Sequence, residues 1–360
     1  MRLIGIVGGG QLGQMMIDAA KQEGFECLVL ESSLDCPCKV NAYEIIEGKY
    51  DDFDKLENIC QRVECLTYEF ENVDANAISK LEKKYNIPQG SNILRISQNR
   101  IREKDFASSC GFKCAKYAKV TSNEELLKAI KDISYPCILK TSEGGYDGKG
   151  QYVLSSEEDL IDIDREYILE SKIDFDYEVS VIASRSINND MVIYPLFKNE
   201  HKHGILYHTA FLFDEIKQKQ IEILMRNYME KLDYRGTLCV ELFIKGEDII
   251  FNEMAPRPHN SGHMTIEACS ASQYRNHIRG IMGLPLIKPQ LLHNTEMVNI
   301  LGSDILKVEA MKKEKHVIVH NYQKSEIREK RKMGHVTFVD ATKEEIESFM
   351  KKYIKESQDE

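Results

Sequence analysis

The segment Phe251-Asn-Glu-Met-Ala-Pro-Arg-Pro-His-Asn-Ser-Gly-His263 groups an acid, an amide, an arginine and two histidines around two prolines. Few protein cores need such a set. An upstream strand, predicted over residues 237–243, puts Glu241 in a position similar to that of Glu253. Two hairpin-paired strands that each present a carboxylate form a hard-oxygen site suited to Mg²⁺ beside a polyphosphate. The polar residues after Glu253 would lie where a second substrate meets an activated phosphoryl group, which indicates an enzyme.

Length and composition indicate a globular protein of several domains. With 360 residues the chain exceeds one typical core, so we expect two or three domains. Its 42% hydrophobic and 29% charged residues are ordinary for this class. No apolar run approaches the roughly 18 residues that span a bilayer. The N-terminus, Met1–Gly10, is too short and too rich in glycine for a secretory signal, so we expect a cytoplasmic protein with no membrane partner.

Charge and cysteine content exclude two further classes. The formal net charge of −10 argues against a nucleic-acid partner, because such binding depends on neutralising phosphates. The ten cysteines are scattered and do not suggest a disulfide framework. Cys36-Pro-Cys38 and Cys110-x₃-Cys114 lack partner pairs with zinc-like spacing. We therefore predict no zinc site.

The pattern of strands and helices divides the chain into three units. Residues 1–96 alternate strands with helices, which predicts a mainly parallel α/β sheet. Residues 97–290 contain a small lobe, at about 115–175, in the order strand, helix, strand, glycine loop, strand, helix, strand. Residues 291–360 form a small β-rich unit. Helices are predicted over Gln11–Glu23, Leu56–Arg62, Ala75–Lys84, Ser97–Cys110, Glu215–Leu232, Met264–Gly280 and Lys343–Tyr353.

A first glycine loop, Gly8-Gly-Gly-Gln-Leu-Gly13, lies between a strand and a helix, with Glu31 at the end of the next strand. This spacing resembles a dinucleotide fingerprint, in which pyrophosphate approaches the helix N-terminus. The alternative is a tight turn between strand and helix that binds no ligand. A third interpretation is a single phosphate of a smaller substrate bound by the same amides. On this motif alone NAD ranks first, but the rest of the chain reverses that ranking.

A second glycine loop follows Lys140 and runs to Gln151. It lacks the spacing of a Walker A loop but suits a β-hairpin lid whose amides and lysines close over a triphosphate. A flexible surface hairpin would not explain Lys140 before the loop and Lys149 inside it, so we favour the lid. Glu170 and Glu178, at the ends of neighbouring strands, fit an ATP pocket, although read alone they are solvated charges.

Three other features stay open on the residues alone. His201, in a polar turn, is more often a surface histidine than a ligand contact. Glu69 and Glu71 follow a strand at the end where ligands gather in open α/β sheets, but alternation does not show which one faces inward. The basic cluster Tyr322–His335 is either a solvated turn or an anion site in which arginine supplies a planar fork.

Together these motifs resemble the ATP-grasp superfamily and, within it, the N5-carboxyaminoimidazole ribonucleotide synthetases of purine biosynthesis. The resemblance covers nearly the whole chain and depends on six motifs in the family's order. They are GGGQLG at 8–13, TYEFENV at 67–73, QNRIREK at 98–104, GGYDGKGQ at 144–151, NEMAPRPHNSGH at 252–263 and RKMGHV at 331–336. Lys149 and Gln323 depart from the pattern that the resemblance leads us to expect, which is Arg in many relatives at the first position and Gly at the second.

The resemblance implies an α/β protein: a Rossmann-like (pre-ATP-grasp) domain, a two-lobed ATP-grasp domain and a small C-terminal β-rich domain. It implies that ATP binds between the lobes with Mg²⁺, or Mn²⁺, on Glu241 and Glu253. Bicarbonate would attack the γ-phosphate to give carboxyphosphate, whose carboxyl passes to aminoimidazole ribonucleotide. The implied ATP contacts are Arg100, Lys140, Gly145, Tyr146, Asp147, Gly148, Lys149, Gly150, Gln151, Glu170, Ser171, Lys172, Ile173, Glu178, His201, Asn252 and Glu253.

The same resemblance implies residues around the reacting carboxyl and the ribonucleotide, and it suggests a homodimer. The implied catalytic residues are Tyr146, Asp147, Lys149, His259 and Lys324. The implied substrate contacts are Gln11, Glu69, Glu71, Arg257, Asn260, Ser261, Lys324 and Arg331.

Three other functions compete with this interpretation. A formate-dependent glycinamide ribonucleotide transformylase would use the same acyl-phosphate chemistry with formate. An NAD-dependent oxidoreductase would explain the first glycine loop, but hydride transfer does not need Glu241, Glu253 or a lysine-rich lid. A non-catalytic nucleotide sensor would have little use for residues 256–263.

Overall fold

The computed structural model describes residues 1–144 and 150–355. Its N-terminal part alternates strands and helices, as the sequence predicts, and the order of its sheet is β3-β2-β1-β4. The elements are β1 Leu3–Val7, α1 Gln11–Gln22, β2 Glu26–Glu31, β3 Glu44–Glu47, α2 Phe53–Arg62, β4 Cys65–Tyr68, α3 Ala75–Leu81 and α4 Asn92–Ser97. No helix among the described residues is long and apolar enough to cross a membrane.

The N-terminal sheet is parallel throughout, which confirms the prediction for this unit. Strand β1 pairs with both β2 and β4, so that Val7 lies opposite Leu30 on one side and Tyr68 on the other. The carboxyl ends of these strands therefore meet at one end of the sheet, where polar loops collect. Strand β3 was not predicted, because its alternating Glu-Ile-Ile-Glu sequence is short and only half buried.

The small lobe is a separate antiparallel sheet in the order β6-β9-β7-β8. It follows α5 Arg100–Ser109 and β5 Lys113–Cys114, and its elements are β6 Tyr117–Val120, α6 Asn123–Ile133, β7 Cys137–Thr141, β8 Gln151–Leu154 and β9 Tyr167–Ser171. The second helix predicted for this lobe is wrong: only the short 3₁₀ turn Glu157–Asp159 lies there. Its apolar positions are too few to bury a helix face, since all three residues are charged and exposed or nearly so.

A long mixed sheet forms the centre of the molecule, in the order β17-β18-β16-β13-β12-β10-β14-β15-β5, with β11 beside β10. Its central elements are β10 Tyr177–Arg185, β11 Met191–Ile193, β12 Leu196–Lys202, β13 Ile205–Leu212, α7 Glu215–Leu232, β14 Gly236–Lys245, β15 Asp248–Ala255, α8 Thr265–Ala268 and α9 Gln273–Ile281. Helix α7 has the predicted bounds, and buried residues such as Ile221, Met225 and Tyr228 pack it against the sheet.

The C-terminal strands continue the central sheet. They are β16 Thr295–Leu301, β17 Val317–Asn321 and β18 Lys332–Val339, accompanied by α10 Val308–Met311 and the predicted helix α11 Lys343–Tyr353. Strand β16 pairs with β13, with His208 opposite Val298. A local core that includes Phe338 and Phe349 holds α11 on this part of the sheet. The predicted unit boundaries at residues 96 and 290 stay predictions.

Two predicted helices are interrupted, and in each case a capping side chain explains the break. The predicted helix Ser97–Cys110 is divided at Asn99, whose side chain accepts hydrogen bonds from the first amides of α5. The predicted helix Met264–Gly280 is divided before Ser272, which caps α9 by accepting from the amide of Arg275. Helix α3 also ends earlier than predicted, at Leu81. At both breaks a polar side chain caps a new helix, although the sequence pattern predicted one continuous helix.

Candidate active site

The hairpin of β14 and β15 carries the two predicted metal-binding carboxylates. Glu241 and Glu253 lie directly opposite each other across this hairpin, next to a β-bulge at Asn252 of β15. Cross-strand partners point to the same face, so the two carboxylates are neighbours. Burial and the charge of Glu253 raise the pKa of Glu241 to about 7. The pair therefore repels itself and would be stabilised by a cation.

The polar segment after β15 turns back towards this pair. His259 places Nε2 at 3.3 Å from Glu241 Oε1, while its Nδ1 lies 2.9 Å from the hydroxyl oxygen of Ser261. Burial, together with the charge of Arg257, holds the pKa of His259 well below its usual value. The imidazole is thus neutral, and its approach to Glu241 is a contact between a neutral ring and a carboxyl group. The Oδ1 atom of Asn260 is buried without a hydrogen-bond partner among the described residues.

Three cationic side chains line the cleft between the small lobe and the central sheet. Arg100, at the start of α5, reaches Glu253 at 3.4 Å. Lys140 on β7 and Lys104 on α5 place their Nζ atoms at 3.2 Å and 3.4 Å from the same oxygen, Oε2 of Glu170. Burial raises the pKa of Glu170, but the two ammonium groups lower it below its usual value overall. The other carboxylate oxygen, Oε1, is buried without a partner among the described residues.

Glu178 and His201 lie on adjacent strands of the central sheet, β10 and β12, and hydrogen-bond to each other through His201 Nδ1. Burial lowers the pKa of His201, but this hydrogen bond and the charge of Glu241 raise it above its usual value overall. His201 is therefore a partly buried partner of the acids in the cleft, and the interpretation of this residue as a surface histidine is wrong.

The remaining predicted ATP contacts lie on the small lobe. Gln151 begins β8 opposite Lys140, and Gly150 before it has a φ of +72°, a backbone conformation that glycine favours. Ser171 ends β9 after Glu170, and Lys172 and Ile173 continue into the connection to the central sheet. Five predicted residues, Gly145, Tyr146, Asp147, Gly148 and Lys149, lie outside the described residues.

The predicted ribonucleotide contacts begin beyond the end of β4. Glu71 is paired with Arg257, whose Nε lies 2.8 Å from Glu71 Oε2 and whose Nη2 lies 3.4 Å from Oε1. Burial raises the pKa of Glu71, but Arg257 lowers it below its usual value overall. This ion pair joins the N-terminal sheet to the polar segment at 256–263, which places both predicted substrate contacts on one wall.

Glu69 points elsewhere, into the first glycine loop. Its carboxylate accepts the amide of Gly10 at 2.5 Å and also the amide of Gly13. The amide of Gly9 donates to Glu31 at 2.6 Å. Burial raises the pKa of Glu69 to about 7 although the two amides act in the opposite direction. The chain's own acids thus occupy the amides that a pyrophosphate would need, so the dinucleotide interpretation of this loop is wrong.

The loop between β17 and β18 carries the basic cluster. Lys324 donates to the carbonyl oxygen of Lys332 at 2.7 Å, and Arg331 donates to that of Glu326 at 2.8 Å. Gln323, where the resemblance leads us to expect glycine, has a φ of +54°, a backbone conformation that glycine favours. Hydrogen bonds from Lys39 and Ser325 lower the pKa of Asp35, so this loop lies over the N-terminal unit. Gln11 is half buried at the start of α1.

Sequence reasoning missed two buried residues beneath the cleft. Lys104 is 2% exposed and also donates to the carbonyl oxygen of Asn252 at 3.2 Å. Glu103 accepts the amide of Met254 at 2.5 Å, and burial together with the charge of Glu253 raises its pKa to about 8. A signal was available for Lys104, because it follows Arg100 by four residues and hence lies on the same face of α5.

A cleft of this kind, closed by a small antiparallel lobe over a pair of strand carboxylates, is the nucleotide site of an ATP-grasp enzyme. Comparisons with known families agree. Residues 105–274 match the ATP-grasp domain, residues 1–98 match the ribonucleotide synthetase preATP-grasp domain, and residues 295–348 match the phosphoribosylaminoimidazole carboxylase C-terminal domain. The predicted three-part α/β fold is confirmed.

Comparisons with individual relatives show to which family of ATP-grasp enzymes the chain belongs. The N5-carboxyaminoimidazole ribonucleotide synthase of Staphylococcus aureus (strain COL) is 39% identical over 342 residues, which cover 93% of this chain and 91% of that protein. The crystal structure of the S. aureus synthetase with ADP superposes with a TM-score of 0.93 at 38% identity, covering 98% of this chain and 97% of that one. The Aspergillus clavatus synthase with ADP and 5-aminoimidazole ribonucleotide gives 0.89 at 27% identity, with coverage of 98% and 97%. This chain belongs to the N5-carboxyaminoimidazole ribonucleotide synthase family.

Proposed function

We propose that the cleft joins bicarbonate to the 5-amino group of aminoimidazole ribonucleotide, and that it forms ADP, phosphate and N5-carboxyaminoimidazole ribonucleotide in purine biosynthesis. Family membership makes the chain a ligase of this kind. The single observation that supports it best is the hairpin pair of Glu241 and Glu253, with Arg100 next to Glu253 and His259 next to Glu241. The formate-dependent alternative is not favoured by the comparisons.

The two hairpin carboxylates fit a hard divalent cation. Their oxygens are the ligands that Mg²⁺ prefers, and burial together with the charge of Glu253 raises the pKa of Glu241, so that a cation would stabilise the ionised pair. Among residues 1–144 and 150–355, no group of three or more acidic, histidine or cysteine side chains could hold a metal by itself. Nucleotide phosphates and water would complete the coordination. When bound, Mg²⁺ or Mn²⁺ would screen the negative charge of the phosphates.

The cations of the cleft suit the ATP side of the reaction. Arg100 and Lys140 face the carboxylates from the opposite wall, where they would lie against phosphate oxygens and stabilise charge during transfer. In that transfer a bicarbonate oxygen forms a bond to the γ-phosphorus and the bond to the bridging oxygen of ADP breaks. The product is carboxyphosphate, whose short life demands a site from which water is excluded.

The second half of the reaction takes place beside the segment 256–263. The amino nitrogen of the ribonucleotide forms a bond to the carboxyl carbon, and inorganic phosphate leaves. The neutral imidazole of His259 and the arginine of the Glu71–Arg257 pair suit the reacting carboxyl, and the unpartnered Oδ1 of Asn260 can accept from the substrate amine. Lys324 and Arg331, with Gln11, suit the anionic and polar groups of the ribonucleotide. Asp147 stays the predicted acceptor of the amine proton.

The experiment that tests this function measures ADP release with Mg-ATP, aminoimidazole ribonucleotide and bicarbonate, each omitted in turn. We expect release to require the ribonucleotide and to be accompanied by a ¹³C-labelled carbamate when bicarbonate is labelled. Release that depends on formate but not on bicarbonate would contradict the proposal. A homodimer is proposed on the family resemblance alone, and light scattering of the purified chain tests it. The cytoplasmic location stays a prediction.

A further inference from the structure

Lys104 is a buried ammonium group to which the proposed reaction gives no role. Its side chain is 3% exposed on α5, and it lies between two sheets. On one side its Nζ approaches Glu170 Oε2 of the small lobe at 3.4 Å, and on the other it donates to the carbonyl oxygen of Asn252 at 3.2 Å. Asn252 directly precedes the metal-site residue Glu253. Lys104 therefore connects the two walls of the nucleotide cleft.

The two carboxylate oxygens of Glu170 have different surroundings. Both Lys104 and Lys140 approach the same oxygen, Oε2, while Oε1 is buried and has no hydrogen-bond partner among the described residues. A buried carboxylate oxygen without a donor is costly, because it has lost water and gained nothing in return. Such an orphan atom in a ligand cleft points to a donor that arrives with the ligand.

ATP carries one suitable donor outside its ribose, the exocyclic 6-amino group of adenine. Guanine presents a carbonyl oxygen at the same position, which a carboxylate oxygen would repel. A single lysine could bridge or exchange the two oxygens of Glu170. Two lysines that converge on Oε2 from different elements leave Oε1 in one orientation.

We propose that Lys104 is a positioning residue for base recognition: by sharing Glu170 Oε2 with Lys140, it holds Oε1 ready to accept a hydrogen bond from the 6-amino group of adenine. This inference rests on the proposed ATP site. It makes Lys104 a determinant of adenine specificity, although Lys104 itself does not touch the base. The contact to Asn252 fixes the same carboxylate relative to the metal-binding pair.

The test compares the affinity of three diphosphates in the full chain: ADP, GDP and purine riboside diphosphate, which lacks only the 6-amino group. For the unmodified chain we expect ADP to bind about tenfold to a hundredfold more tightly than purine riboside diphosphate, the range for a hydrogen bond to a charged group. Lys104→Met should bring this ratio to about threefold or less, because Glu170 then has only Lys140 to orient it. The KM for ATP should rise more than kcat falls.

Two control variants separate positioning from charge and from folding. Lys104→Arg retains a cation and should keep most of the discrimination, whereas Lys113→Met removes an exposed lysine paired with Asp248 and should change nothing. Lys104→Gln retains a donor for Asn252 and serves if Lys104→Met does not fold. An ADP preference that is unchanged in a folded Met or Gln variant overturns the proposal.

Binding of diphosphates needs neither bicarbonate nor the ribonucleotide, which keeps the two proposals apart. If the expected ratios are found but ADP release never depends on the ribonucleotide, the role of Lys104 stands and the proposed reaction fails. If release depends on the ribonucleotide but the ratios are the same in every variant, only the role of Lys104 fails.

Discussion

The first glycine loop and the nucleotide cleft both bring carboxylates next to hydrogen-bond donors, but they differ in whether the donors and acceptors are already satisfied. In the loop, Glu69 and Glu31 accept the amides of the glycines, and the anion-binding groups are occupied by the chain itself. In the cleft, Glu241 and Glu253 face each other, and one oxygen of Glu170 has no donor among the residues that the structure describes. Ligand sites are therefore better recognised by unsatisfied buried groups than by the motif that surrounds them.

The largest effect is expected in the nucleotide cleft. Glu253→Gln should lower ADP formation by about a thousandfold or more, because losing one metal carboxylate removes several kcal/mol of charge stabilisation. Steady-state ADP release measures this, and circular dichroism checks the fold. The matched control is Glu247→Gln in the turn of the same hairpin, whose side chain is 90% exposed, and it should retain full activity. Normal turnover of Glu253→Gln would show that the hairpin pair is not the metal site.

A smaller effect is expected where the ribonucleotide meets the basic loop. Lys324→Ala should raise the KM for aminoimidazole ribonucleotide by about tenfold to a hundredfold, the range for a lost hydrogen bond to a charged group, and leave the KM for ATP nearly unchanged. Initial rates with each substrate varied in turn give both constants. Lys330→Ala, at an exposed position of the same loop, is the control. A loss confined to ATP would remove Lys324 from the ribonucleotide site.

In the first glycine loop, where the amides already have acceptors, we expect an effect on stability. Glu69→Ala leaves the amides of Gly10 and Gly13 without acceptors, so it should lower the free energy of unfolding by about 1–3 kcal/mol. Urea titration measures this change. Glu64→Ala, which removes an exposed pair with Arg2, should change it by less than about 1 kcal/mol. Neither the unmodified chain nor Glu69→Ala should bind NADH saturably, because Glu31 still accepts the amide of Gly9. Saturable binding would contradict the statement that the chain's own acids occupy this loop.

The last expected effect concerns pH and the buried acid beneath the cleft. The pKa of Glu103 is raised from 4.5 to about 8, so the folded chain binds this proton more tightly than the unfolded chain. Its contribution to stability is greatest below the unfolded pKa and is lost as pH rises through about 8. Glu103→Gln removes this dependence while keeping an acceptor for Met254. The free energies of unfolding of the two chains should therefore diverge as pH rises, and the variant should become the more stable chain. Parallel curves would contradict the raised pKa of Glu103.

Much of the fold follows from local patterns that tertiary contacts reinforce. Helices α7 and α11 have the predicted bounds because each has a capping side chain, Asp214 and Thr342 respectively, and a clear apolar face. For these helices the signal lies within a few residues of the feature. The facing positions of Glu241 and Glu253 depend instead on the bulge at Asn252, because the register set by the turn would put Glu241 opposite Asn252.

The rest depends on contacts between distant residues, which one sequence does not display. The breaks before α5 and α9, which have the local caps Asn99 and Ser272, are also held by distant contacts. The amide of Arg100 donates to the carbonyl oxygen of Ser142, and the amide of Ser270 donates to that of Gln290. The same holds for Glu69, whose orientation depends on amides that lie more than fifty residues earlier. The site residues were therefore predictable as a set, but not their pairings.

The continuity of β13 with β16 also affects how the chain can be divided. Residues His208, Thr209 and Ala210 pair with Val298, Met297 and Glu296. A chain that ended near residue 290 would leave this apolar strand as an open sheet edge, which is a template for aggregation. The C-terminal strands thus protect the ATP-grasp sheet from self-association, and a soluble shorter version would need a charged residue or proline on β13.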